Sequence, residues 1–119
     1  MTIKNALASV AVADLAKTLP WYEKLFGRPA DSRPMDAVAE WKFPGGGWLQ
    51  VYQVDDDRVG RGSVTLSVAS VEQQVADLRA LGIDPGKQMG GDKVKVVMLK
   101  DPDGNSLAFA EALEDGMAQ

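Results

Sequence analysis

Apolar residues fall at two spacings along this chain, and the same succession of spacings occurs twice. Leu7 to Val12 is a short apolar run with the length and composition of a strand. Asp14 opens a turn, and Leu15, Leu19, Tyr22, Leu25 and Phe26 then recur at helical spacing. Gly27 follows where a helix-ending glycine belongs. Proline inside a helix removes a hydrogen bond and crowds the preceding turn. The regular helix is therefore placed from Thr18 or Leu19, with Pro20 in its first turn. Strands follow at about Val38 to Phe43 and Trp48 to Gln53, joined by the turn Pro44-Gly45-Gly46-Gly47. There is room for one more strand near Ala30 to Met35.

The second half repeats this order. Val64, Leu66 and Val68 alternate with Ser63, Thr65 and Ser67, the period of a strand with one apolar face. Ser70 and Gln73 have the spacing of a capping box. Val71, Val75, Leu78 and Leu81 form the helical stripe, which Gly82 ends. Strands are expected near Lys87 to Met89, Lys93 to Leu99 and Ser106 to Ala110. Gly90-Gly91-Asp92 turns the first pair. Asp101-Pro102-Asp103-Gly104-Asn105 turns the second, with proline and glycine where a type I turn favours them. The reading is one domain over 1–119: a first module at 3–54, a linker at 55–62 and a second module at 63–113.

Composition narrows the chemistry. The 119 residues contain no histidine and no cysteine. Imidazole and thiolate hold most zinc, copper and iron sites, and imidazole is the commonest general base near neutral pH. The remaining tools are carboxylates, amides, hydroxyls, aromatic rings and shape. A net charge of −4 disfavours nonspecific binding to nucleic acid and to anionic membranes. No apolar run approaches the roughly 20 residues of a membrane span. The stretch Ala6 to Ala13 has some features of a signal peptide, but Ser9 interrupts it and Asp14 follows it, so it is read as the first strand. A cytoplasmic location is the default. Asp55-Asp56-Asp57 lacks the spacing of a calcium loop and is read as part of a solvated linker.

A strand leading into Asp14-Leu15, a helix carrying Trp21-Tyr22 to Gly27, and a repeat ending in Asp101 to Asn105 together resemble the vicinal oxygen chelate superfamily. That group includes glyoxalase I, bleomycin-resistance proteins, fosfomycin-resistance enzymes and extradiol dioxygenases. The resemblance covers nearly the whole chain. It implies an α+β fold of two βαβββ modules, whose curled mixed sheets form a cup around a ligand. In the superfamily's enzymes, inward-facing residues on the first and last strands of each module hold a metal. Counted from the shared motifs, those places fall on Leu7, Gln50, Ser63 and Ala108 in this chain. Leu and Ala have no donor atom, and Ser and Gln are poor ligands without carboxylate or imidazole neighbours. The resemblance thus implies the fold without the metal, and no metal or cofactor is expected.

Strand parity divides the side chains between two faces. One set runs Ala8, Val10, Val12, Leu49, Val51, Val64, Leu66, Val68, Leu107 and Phe109, a core beneath the helices. On the other face, Leu7, Ser9, Trp48, Gln50, Tyr52, Ser63, Thr65 and Ala108 are the candidate ligand-binding residues. Trp48 and Tyr52 flank Gln50, as an aromatic wall for a planar ligand or as filling for the cup or an interface. Ser63, Thr65 and Ser67 are pocket hydroxyls or cross-strand partners. Lys93 and Lys95 either protect a sheet edge or steer an anion to the cup. Glu40 is expected to point to solvent because Trp41 and Phe43 are apolar.

Two functions follow. The first is a metal-free protein that sequesters a small organic molecule, as bleomycin-resistance members bind a drug without altering it. The second is a lyase, isomerase or dioxygenase with a non-standard or lost metal site, holding a metal through Glu40 or Glu111 with Gln50 or working through a metal-free acid–base pair. A structural or interaction domain with a vestigial cup is the third possibility. By analogy with the superfamily, the chain is expected to form a homodimer.

Overall fold

The computed structural model describes residues 2–91 and 93–112. The expected turn residue Asp92 and the last residue of the second module, Leu113, lie outside them. The first four strands, β1 (Leu7–Val12), β2 (Ser32–Met35), β3 (Val38–Lys42) and β4 (Trp48–Gln53), form one mixed sheet in the order β1-β4-β3-β2. The second sheet repeats this with β5 (Ser63–Ser67), β6 (Gln88–Gly90), β7 (Val94–Lys100) and β8 (Ser106–Ala112), in the order β5-β8-β7-β6. In each sheet the first strand pairs in parallel with the last, and the other neighbours are antiparallel. Helix α1 (Leu15–Phe26) and helix α2 (Val71–Ala80) follow the first strand of their modules. Strands β1 and β5 lie beside each other where the modules meet.

Helix α1 starts earlier than the proline implied. Asp14 caps it by accepting from the Lys17 N–H at 3.3 Å, so Pro20 lies in the interior rather than the first turn. The bond Pro20 cannot donate would go to the carbonyl of Ala16, and both residues are exposed, where water satisfies that carbonyl. Helix α2 is capped by Ser70, whose hydroxyl accepts from the Gln73 N–H. Gln73 turns its own amide to Asp77 instead of closing the box.

Both helices gain a second cap from the last strand of their module. Gln53 accepts from the Leu15 N–H at 2.8 Å, and Glu111 accepts from the Val71 N–H at 2.9 Å. Each bond satisfies an N–H that has no partner within its helix.

The core lies between each helix and one sheet face, as parity implied. Val10, Val12, Leu49, Val51, Leu107 and Phe109 are buried there with Leu15, Tyr22, Val71, Val75 and Leu78. The first module fills its core with rings: Tyr22, Phe26 and Trp41 have centroids 5.3–6.0 Å apart in tilted packing. The Trp41 indole N–H donates to the Arg28 carbonyl, so its one polar atom is satisfied.

The turn from Asp101 to Asn105 fastens the second module to the first. Asp101 is 4% exposed and accepts from the Tyr22 hydroxyl at 2.7 Å, from the backbone N–H groups of Asp103 and Asn105, and from the Asn105 amide. Asn105, with no exposure, donates to the Ala11 carbonyl and accepts from the Gly62 N–H. Asp103 accepts from the Ala13 N–H. At Gly60, φ is +76° and an added Cβ would stand 2.2 Å from the Asp103 carbonyl oxygen, so only glycine lets the two segments touch. Among the described residues no helix is long and apolar enough to cross a membrane.

Candidate functional site

The face of each sheet opposite its helix forms the candidate cup. Register puts Ser9 opposite Gln50 and Ala11 opposite Tyr52, with Leu7 opposite Trp48. The antiparallel pairing of β3 and β4 then places Glu40 opposite Gln50 and Lys42 opposite Trp48. The predicted residues Leu7, Ser9, Trp48, Gln50 and Tyr52 thus share one face of the first module. Ser63, Thr65 and Ala108 share the corresponding face of the second, with Thr65 opposite Ala108 and Met98 next across.

A short hydrogen-bonded line crosses the first face. The Ser9 hydroxyl donates to Gln50 Oε1 at 3.3 Å, and Gln50 Nε2 donates to Glu40 Oε2 at 3.0 Å. Glu40 does not point to bulk solvent, contrary to the expectation from Trp41. A buried Trp41 does force its neighbour to the opposite face, but that face is the cup floor, and Glu40 is half-buried there. The Lys42 ammonium lies 5.8 Å from the Trp48 ring centre, on the same face.

Two other charged candidates leave the site. Glu111 caps helix α2, so it occupies the helix side of β8 and cannot join Gln50. Lys95 pairs with Glu72 of helix α2 at 3.6 Å, which also puts it on the helix side. Strand β7 lies between β6 and β8, so Lys95 protects no sheet edge either. Among the described residues, the hydroxyls of Ser63, Thr65 and Ser67 make no side-chain hydrogen bond to the protein.

The linker is more than a tether. A cavity of about 340 Å³ opens beside the first face, lined by Ser9, Ala11, Tyr52, Asp57, Arg58, Arg61 and Gly62. The Arg58 guanidinium lies 5.7 Å from the Tyr52 ring centre. Asp56 holds it with an ion pair at 2.6 Å and further bonds to Nε. The hydrogen bonds from Arg58 keep the Asp56 carboxyl below its ordinary range, and Asp56 in turn raises the Arg58 guanidinium above its own. No periodicity marks Arg58 or Arg61. Their one sequence signal is that the segment carrying them joins two strand-first modules, so it must pass the edge of the cup.

Two βαβββ modules, each with a four-stranded mixed sheet and one helix, define the glyoxalase/bleomycin-resistance type of fold. The family model of the glyoxalase-like domain matches residues 8–110, so the chain belongs to that family. Among solved structures, it is similar to a glyoxalase/bleomycin resistance protein from Catenulispora acidiphila. That similarity has 29% identity over 91% of this chain and 97% of the other, with a TM-score of 0.81. A glyoxalase/bleomycin resistance protein/dioxygenase from Nocardioides is 18% identical over 100% of this chain and 89% of its own, with a TM-score of 0.73. The oxidase ChaP-H2 is 16% identical over 98% of each chain, with a TM-score of 0.72. These last two share the fold. No curated protein sequence matches.

The superfamily's enzymes imply a divalent metal, and the donor set here does not fit one. The places that the resemblance implies for its ligands hold Leu7, Gln50, Ser63 and Ala108, which lie on the sheet faces away from the helices. Among the described residues, no three Asp or Glu side chains converge as metal ligands do. Glu40 stands as a single carboxylate beside Gln50, engaged by its amide.

Proposed function

We infer that this chain is a metal-free small-molecule-binding protein that sequesters an organic ligand against the cup. The observation that carries the reading is the polar line Ser9–Gln50–Glu40, set between Trp48 and Tyr52, with the amide of Gln50 where the resemblance would put a metal ligand. Such a face offers apolar walls with a few placed hydrogen-bonding groups, as small-molecule sites do. Ser63, Thr65 and Ala108 belong to the second wall. A homodimer in the cytoplasm is part of the reading. Within one chain Leu7 is 46% exposed and Ser9, Ser63 and Thr65 are exposed on these faces, and a two-fold partner would cover them.

A panel of small aromatic and antibiotic compounds, followed by thermal unfolding, tests it. Stabilisation by at least one compound, lost in Gln50→Ala and Trp48→Ala, is the expected result. A broad panel without any stabilisation contradicts the reading. Sedimentation of a monomer at micromolar concentration removes the dimer.

One observation favours a second reading, residual acid–base catalysis. Glu40 is a half-buried carboxylate held on the cup floor by Gln50, the geometry of a lone proton acceptor. Turnover of a ligand that Glu40→Gln abolishes without weakening binding would establish the enzyme.

A further inference from the structure

The cavity beside Tyr52 points to the class of the ligand. We propose that it is an anion subsite, and that the guest of the cup is a planar organic monocarboxylate. The inference rests on the small-molecule reading and narrows it.

Three observations carry it. First, Tyr52, Ser9, Arg58 and Arg61 line one cavity of about 340 Å³, a volume in the range of small-ligand sites. A ring with a carboxylate matches those walls, since guanidinium recognises planar oxyanions through paired N–H groups.

Second, the two arginines have different duties. Arg58 spends Nε and Nη2 on Asp56 and stands 5.7 Å from the Tyr52 ring centre, which leaves Nη1 for a ligand. Arg61 has no carboxylate within 4.0 Å among the described residues, so its charge is unspent. Asp57, on the same lining, opposes a second negative charge and sets the preference for a monoanion.

Third, the segment carrying both arginines is pinned. The Arg61 N–H donates to the Arg58 carbonyl at 3.3 Å, and the Gly60 N–H donates to Ala11 at 3.2 Å. Gly62 is bound by buried Asn105, and Gly60 is wedged against Asp103. Both guanidiniums therefore start from a backbone fixed to the junction between modules, which leaves the side chains alone to be ordered when a ligand arrives.

The test titrates the full chain, by amide chemical shifts, with 1-naphthoate, 1-naphthamide and 1-naphthylmethylamine. These probes share a ring and differ in charge. Naphthoate is expected to bind at least about tenfold more tightly than the amide, as charge-assisted hydrogen bonds allow. The shifts should centre on Ser9, Tyr52 and Arg61, and added salt should weaken them. Arg61→Gln should erase the preference while leaving the urea midpoint unchanged, and Arg61→Lys should keep part of it. Equal binding of naphthoate and naphthamide overturns the anion subsite and leaves the cup reading standing. A carboxylate preference that survives both Arg61→Gln and Arg58→Gln overturns the assignment to these residues. If no naphthalene probe binds, the inference fails, and the broader thermal panel decides the cup reading separately.

Discussion

Phe43 to Gly47 and Asp101 to Asn105 close the same hairpin in the two modules, yet they do different work. In each, the first residue's N–H bonds the fifth residue's carbonyl at 2.9 Å, and the fourth is a glycine with φ near +100°. The backbone is one solution used twice. The side chains are not: the first turn is proline and glycine, while the second carries Asp101, Asp103 and Asn105 into the junction between modules. A turn's shape is set by proline and glycine, and its role by the polar residues left free to reach elsewhere.

The cup faces differ in the same way. The first module presents Trp48, Gln50, Tyr52 and Glu40. At the matching places the second presents Ser106, Ala108, Ala110 and Met98. One face carries aromatic, amide and carboxylate side chains, and the other carries small residues and Met98. Repetition thus supplied the frame, and divergence divided the labour.

Exchanging residues between the two turns breaks this comparison most severely. Asn105→Gly strips bonds from buried Ala11 and Asp101 and from half-buried Gly62, and should cost about 3 kcal/mol or more in urea unfolding. The reciprocal Gly47→Asn enters open space at an ordinary φ and should change stability by no more than about 0.5 kcal/mol. Comparable losses from both would show that the second turn is not special.

Tyr22→Phe is next. It removes the hydroxyl that donates to Asp101, and should cost about 2 kcal/mol at neutral pH. Burial first, and the neighbouring Asp101 second, push the Tyr22 phenol far above its ordinary value. The folded chain keeps that proton after the unfolded chain has lost it. This contribution to stability is therefore whole below about pH 10 and shrinks as pH rises further. Alkaline unfolding of the wild type should be steeper than that of Tyr22→Phe.

The helix caps sharpen the symmetric side of the comparison. Gln53→Ala and Glu111→Ala each free one helix N–H and should each cost about 1 kcal/mol in the same unfolding experiment.

Most of the frame was legible because apolar period and turn chemistry agreed. Strand β2 was faint because Ser32-Arg33-Pro34-Met35 buries no face. The start of α1 was misplaced because the cost of Pro20 outweighed the Asp14 cap in the reading, whereas exposure makes that cost tolerable. The aromatic and amide part of the cup followed from parity alone. Arg58 and Arg61 did not, since a segment without period is placed only by what pins it, here Asn105 and the backbone of Asp103. The spacing that put Trp41 in the core also fixed Glu40 on the cup floor. The missing step was to extend that parity to β3, whose face opposite Trp41 continues the candidate cup face of β4.

The central claim is that this cup works through side-chain contacts alone where metal enzymes of the superfamily use a metal ion. Elemental analysis of the full chain, purified without chelator, tests it most directly. The account predicts divalent transition metal far below one equivalent per chain. One equivalent, retained through dialysis and lost in Gln50→Ala, would contradict it.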